Sequence, residues 1–149
     1  MNTTSNVQPP ANTSTRIEWV CDICERPIDD GDGYVTVNYA DLHSYRKSEK
    51  AWNERMAAAY PKWNSGFVAY PLTELDDYPD RVPWHVWHRA CDPDVKSDDY
   101  WIAVERIRAP WHGLTWSAHL LGKKWIVDTA WPSVLRRASK SLGGSVFVP

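Results

Sequence analysis

The chain has 149 residues and a net charge of −2, with ten Trp and seven Tyr set against two Phe and two Met. That length suits a single domain with a modest core, and a near-neutral charge argues against a dedicated, strongly basic nucleic-acid binder. Three Cys, an odd number, exclude a complete disulfide framework.

Residues 1–16 are Asn, Thr, Ser and Pro-rich. They lack the apolar residues that would offset the entropy of ordering, so a disordered tail is expected, with order starting near Ile17. No apolar core region of a signal peptide occurs there, and no stretch approaches the roughly 18 apolar residues of a membrane helix. The expectation is a cytoplasmic protein with no membrane contact, organised as one domain over residues 17–149.

Cys21-Asp22-Ile23-Cys24 leads into Pro27-Ile28 and the turn-forming Asp29-Asp30-Gly31-Asp32-Gly33. Tyr34 to Tyr39 then reads as a strand, so the two together are a knuckle feeding a β-hairpin. Ser44 is a candidate cap for a helix from Tyr45 to Tyr60, with Tyr45, Trp52, Met56 and Ala59 on one face and Pro61 as its stop. Phe67 to Tyr70 fits a short strand, and the acidic stretch from Leu72 to Asp80 reads as a solvated loop. Trp84 to His88 alternates as a strand does and runs into Arg89-Ala90-Cys91, after which Asp92-Pro93 can open a helical turn. Tyr100 to Ile107 is a third strand candidate. Trp111 to Leu121 reads as a helix with Leu114, Ala118 and Leu121 on one side and Gly122 as its stop. A last helix runs from Ala130 to about Leu142, capped by Thr129, with Pro132 tolerated in its first turn. Trp131, Val134, Leu135, Ala138 and Leu142 form its apolar stripe. Ser145 to Pro149 is left as a short tail that can dock as a strand. The fold class expected is α+β: a small antiparallel sheet, a helical insertion and a helical C-terminal part.

The strongest chemical signal is Cys-x2-Cys at 21–24 joined to His-x2-Cys at 88–91. A two-residue gap lets two ligands converge on one ion from a tight turn. Cys21, Cys24, His88 and Cys91 make a closed Cys3His set for one structural Zn2+ per chain, and that set uses every Cys present. Thiolates favour zinc over magnesium or calcium. His85 is the competing fourth ligand; His88 is preferred because His-x2-Cys mirrors Cys-x2-Cys. The order of knuckle, strand and second pair resembles a treble-clef zinc finger, and also the first zinc half of a LIM domain, in which a Trp-His-x-x-Cys-type segment supplies the second pair. The resemblance covers residues 19–39 and 84–93. It departs from the LIM pattern in the 63 residues between the pairs and in lacking a second Cys-x2-Cys. Residues 21–28, 87–93 and 100–108 are also similar to small zinc-binding proteins of actinobacteria and their phages, a likeness that brings no activity with it.

Other readings are weaker. A calcium loop at Asp30-Gly31-Asp32-Gly33 would place Ile28 and Tyr39 where carboxylates belong. A metal-dependent ββα-type nuclease would use His85 as base, but residues 92–101 offer Asp, Lys, Ser and aromatics and no second His or Asn. A Cys nucleophile would have to leave the metal.

Charge is unevenly spread: residues 1–100 hold 10 Lys or Arg and 17 Asp or Glu, and residues 101–149 hold 7 and 2. Lys123, Lys124, Arg136, Arg137 and Lys140, with Trp125 and Trp131 among them, could meet phosphate and bases. They could equally neutralise the acidic first half. The leading functional expectation is a non-catalytic module that binds another protein through Trp and Tyr; a nucleic-acid-binding accessory protein is the alternative.

Overall fold

The computed structural model describes residues 15–60, 70–95 and 98–143. The expected strand at Phe67 and the docking of Ser145–Pro149 lie outside them, as does all of the N-terminal tail but its last two residues. Ile17 is already buried, and its N–H donates to Arg108 O at 2.7 Å.

Three strands form an antiparallel sheet: β1 (Gly33–Val37), β2 (His85–His88) and β3 (Tyr100–Ala103), in the order β2-β1-β3. The register sets Val35 opposite Val86 and Ile102, and these three face the core. Because side chains alternate along a strand, the neighbouring Tyr34, Thr36, His85, Trp87 and Trp101 share the other face. Gly33 is required where β1 meets β2, since a Cβ there would sit 2.3 Å from Trp87 O and 2.7 Å from Ile28 Cγ2.

Helix α1 (Tyr39–Ala59) begins six residues before the expected start. Asn38, not Ser44, is its cap: the Asn38 side chain accepts from the Asp41 N–H at 3.0 Å. Its buried face is Leu42, Tyr45, Trp52 and Met56, and Ala59 is exposed. The acidic stretch after it is solvent-exposed, as expected, but is not all loop. It contains α2 (Leu72–Leu75), whose Glu74 O accepts from Trp52 Nε1 at 3.2 Å, and Tyr78 stacks edge-on against Trp52.

Beyond β3 the chain tightens into a 3-10 turn at Val104–Ile107, so the third strand is half the length expected. Helices α3 (Pro110–Leu121) and α4 (Trp131–Ser141) then close over the inner face of the sheet. Trp19, Ile107, Leu120, Trp131 and Val134 meet Val35 and Val86 in one apolar cluster. In α3 the outcome differs from the sequence pattern. Leu114 and Leu121 are about three-quarters exposed, and the residues turned inward are Gly113 and Leu120. In α4 the inward set is Trp131, Val134 and Ala138, as the stripe requires.

The two oppositely charged halves pair with each other at the edge of the fold. Arg108 donates through Nε to Asp30 Oδ1 at 2.5 Å, and Arg137 through Nη1 to Asp22 Oδ1 at 2.6 Å.

Candidate metal centre

The first knuckle is built by the backbone. Cys21 N–H donates to Arg26 O and Glu25 N–H to Cys21 O, each at 3.0 Å. Glu25 has φ 57°, the left-handed conformation that reverses the chain after Cys24. Asp22, between the cysteines, ties this knuckle to the rest of the molecule. Its N–H donates to Val86 O at 2.8 Å, its Oδ2 accepts from Val86 N–H at 2.7 Å, and its Oδ1 takes Arg137. Sequence reasoning passed over Asp22; its only signal was a carboxylate between two ligands.

The second pair sits at the end of β2. His88 pairs with Gly33 across the sheet, and Cys91 N–H turns back onto His88 O at 2.9 Å. Residues 93–95 continue as a turn rather than as the helical turn expected after Asp92-Pro93.

These two turns bring Cys21, Cys24, His88 and Cys91 together, with all four ligand atoms within 4.8 Å of one another. The residues could hold a metal ion. His88 Nδ1 lies 3.3 Å from Cys24 Sγ and 4.0 Å from Cys91 Sγ. A tetrahedral ion with bonds of about 2.1 Å to nitrogen and 2.3 Å to sulfur sets its ligands roughly 3.6 Å apart, so these distances bracket the fit. The far side of the ring agrees. His88 Nε2 donates to Pro27 O at 3.0 Å, which fixes the tautomer and leaves Nδ1 with a lone pair for a metal.

The protons of the four groups are unequally held. Burial pushes the Cys21 thiol up, but N–H groups of Cys24, His88 and Ile23 and the His88 ring outweigh it and bring the thiol down to about 6. The Arg26 side chain, then its N–H, holds Cys24 below the ordinary thiol range. Burial, followed by hydrogen bonding to the other two sulfurs, raises Cys91 to about 11. Three thiolates and one divalent ion would carry one net negative charge, and Arg26 beside Cys24 offsets it.

His85 stays outside the cluster: its Nδ1 is 3.8 Å from Asp22 Oδ2 and its ring packs edge-on to Trp87. The Asp30-Gly31-Asp32 loop is a turn whose Asp30 carboxylate serves Arg108 and Arg16. No family model, curated protein or solved structure matches this chain.

The basic residues of the C-terminal part do not form a single free surface. Arg137 is bound to Asp22 and to Val20 O on the knuckle, and Lys123 lies over the Tyr100 ring at 5.8 Å. Arg136 donates to Ser133 Oγ, while Lys124 and Lys140 are exposed. The tryptophans between them point elsewhere: Trp131 is 5% exposed, and half-buried Trp125 packs among Tyr39, Trp84 and Tyr100.

The outer face of the sheet is partly open: Thr36 is buried there, Tyr34, His85 and Trp87 are half-buried, and Trp101 is exposed. Tyr34 and Trp101 lie side by side there, centroids 5.9 Å apart, with Trp101 55% exposed. The segment after Cys91 roofs one end of it. Asp92 accepts from the Tyr34 hydroxyl, and burial with Asp92 pushes that hydroxyl up to about 12, so it remains a donor.

Proposed function

We propose that this chain is a non-catalytic interaction module, held together by one structural zinc, which binds another protein through the aromatic outer face of its sheet. The observation that carries the reading is that face itself. Tyr34, Trp87 and Trp101 stand together on the side of the sheet away from the apolar core. Exposed Trp and Tyr on a rigid support are the residues that anchor protein contacts. The metal centre lies at the end of the same strands, where it fixes β2 against the knuckle, and its four protein ligands leave no open position for catalysis. Thiolate and imidazole donors favour zinc among the common ions. The arrangement is compatible with a finger like the first half of a LIM domain, with residues 25–87 inserted between its ligand pairs.

The alternative, nucleic-acid binding through Lys123, Lys124, Arg136, Arg137 and Lys140, has less support, because Arg137 is engaged internally and Trp131 is buried. The test is a photo-crosslinking amino acid placed at position 101 and, in a control, at His43 on α1. A protein crosslinked from position 101 alone, and lost when Trp87 is also changed to Ala, supports the reading. Salt-sensitive crosslinking to DNA or RNA, abolished by Lys123→Ala with Lys124→Ala, would replace it.

A further inference from the structure

We propose that a cleft on the outer face of the sheet receives a cationic side chain, preferentially an arginine guanidinium, from a basic segment of the partner. The inference rests on the interaction-module reading and names the chemistry that the aromatic face recognises.

The cleft has a volume of about 240 Å³ and is walled by Tyr34 and Trp101 on the sheet and by Asp92, Asp94 and Val95 on the segment above it. A smaller compartment of about 110 Å³ adjoins it, sharing Thr36, Asp92, Asp94 and Asp99 and adding Asp41, His85 and Trp87. Among the described residues, four carboxylates and the cation Arg89 line the two compartments. Carboxylates at the rim with aromatic rings on the floor suit a flat cation: the guanidinium stacks on a ring and donates in its plane to carboxylate oxygens.

The molecule supplies its own precedent. Arg89, at the edge of the cleft, sets its guanidinium over the Tyr34 ring at 5.8 Å while its Nε donates to Gly31 O at 3.0 Å. One ring of the same wall therefore already takes a guanidinium, and Trp101 beside it presents a larger exposed one. Two of the acidic groups, Asp92 and Asp99, are also held in place in advance. Asp92 accepts from Tyr34 and from the Asp94 N–H at 2.8 Å, and Asp99 accepts from Asn38 Nδ2 at 3.1 Å and Tyr39 N–H at 3.2 Å. Little ordering of the receptor remains to be done on binding. A neutral or anionic side chain would meet the same field with no compensation.

The experiment follows indole N–H signals of the metal-loaded chain by NMR during titration with three blocked pentapeptides, Gly-Gly-Xaa-Gly-Gly. Xaa is arginine, its neutral isostere citrulline, or glutamate. The arginine peptide should move the Trp101 and Trp87 signals in a saturable way and leave those of buried Trp19 and Trp131 in place. Citrulline should bind roughly tenfold more weakly or not at all, and Asp94→Asn and Trp101→Ala should each weaken arginine binding by a similar factor. Both substituted residues are exposed, so these variants should keep the fold and the metal. Citrulline binding as tightly as arginine, or no movement at millimolar arginine peptide, overturns the cationic preference. Displacement of the arginine peptide by Mg2+ or Ca2+ would assign the carboxylates to a metal and overturn it too. In each of these cases crosslinking to a protein from position 101 that depends on Trp87 would still stand, so the failure of this inference is distinguishable from the failure of the module reading.

Discussion

Arg108→Met should cost this protein a large share of its stability. The guanidinium is nearly buried, its side chain 11% accessible, and it reaches three groups. Nε meets Asp30 at 2.5 Å, Nη1 meets Ile17 O at 3.3 Å, and Nη2 meets Ile28 O. Ile17 and Ile28 are 1% and 2% exposed and flank the Cys21–Cys24 knuckle on either side. Methionine keeps much of the aliphatic stem but leaves both carbonyls without that partner, at about 1–3 kcal/mol each. Asp30 is half-exposed and regains water, so nothing is added for it. The expected loss is therefore about 2–6 kcal/mol, or roughly 5–20 °C in Tm for a chain of this size. Urea denaturation and calorimetry would measure it, with Asp30→Asn as the comparison. Asp30→Asn removes the ion pair and spares the carbonyl bonds, so its effect at neutral pH should be smaller than that of Arg108→Met. A loss below about 0.5 kcal/mol for Arg108→Met, typical of an ordinary surface change, would refute the claim that Arg108 anchors both sides of the knuckle.

Asp30 should also shape the acid limb of stability. Arg108, then Arg16, holds its carboxyl below the usual range in the folded chain. Its contribution is present above the unfolded value of about 3.9 and fades as pH falls through the lower folded value, so Asp30→Asn should flatten the loss of stability in that acid range. Gly33→Ala should destabilise by about 1–3 kcal/mol in denaturant titration, because its Cβ would press on backbone at Trp87 as well as on Ile28. Chelation should lower Tm, since the ligand pairs are joined across residues 25–87 and metal binding is coupled to folding. An unchanged melt of protein shown to be metal-free would contradict that.

The cluster of Cys21, Cys24, His88 and Cys91, which could hold a metal ion, could be read from the sequence because each half of it is local: two short turns, each with a two-residue gap, and no Cys left over. What fixed His88 over His85 was also local, the parity of β2, which sends His85 to the outer face and His88 to the inner. Legibility ended where tertiary contacts decide. The start of α1 was hidden because Tyr34 to Tyr39 is strand-like throughout, and only Asn38 capping Asp41 shows where the chain changes period. Leu114, Ala118 and Leu121 do follow a helical stripe, but the residues α3 turns inward are Gly113 and Leu120, so Leu114 and Leu121 face out. The charges of the acidic stretch from Leu72 point to a loop, yet Tyr78 and the backbone of Glu74 pack on Trp52. The charge asymmetry left two outcomes open. Arg108 with Asp30 and Arg137 with Asp22 show that part of it is spent within the chain, a pairing that no sequence spacing encodes.

The central claim, one structural zinc held by Cys21, Cys24, His88 and Cys91, is tested most directly by elemental analysis of protein purified without added metal. Wild type, His88→Ala and His85→Ala would be compared. The account predicts one zinc per chain in wild type and in His85→Ala, lost or weakened in His88→Ala. No metal in the wild type, with three thiols that titrate freely, would contradict it.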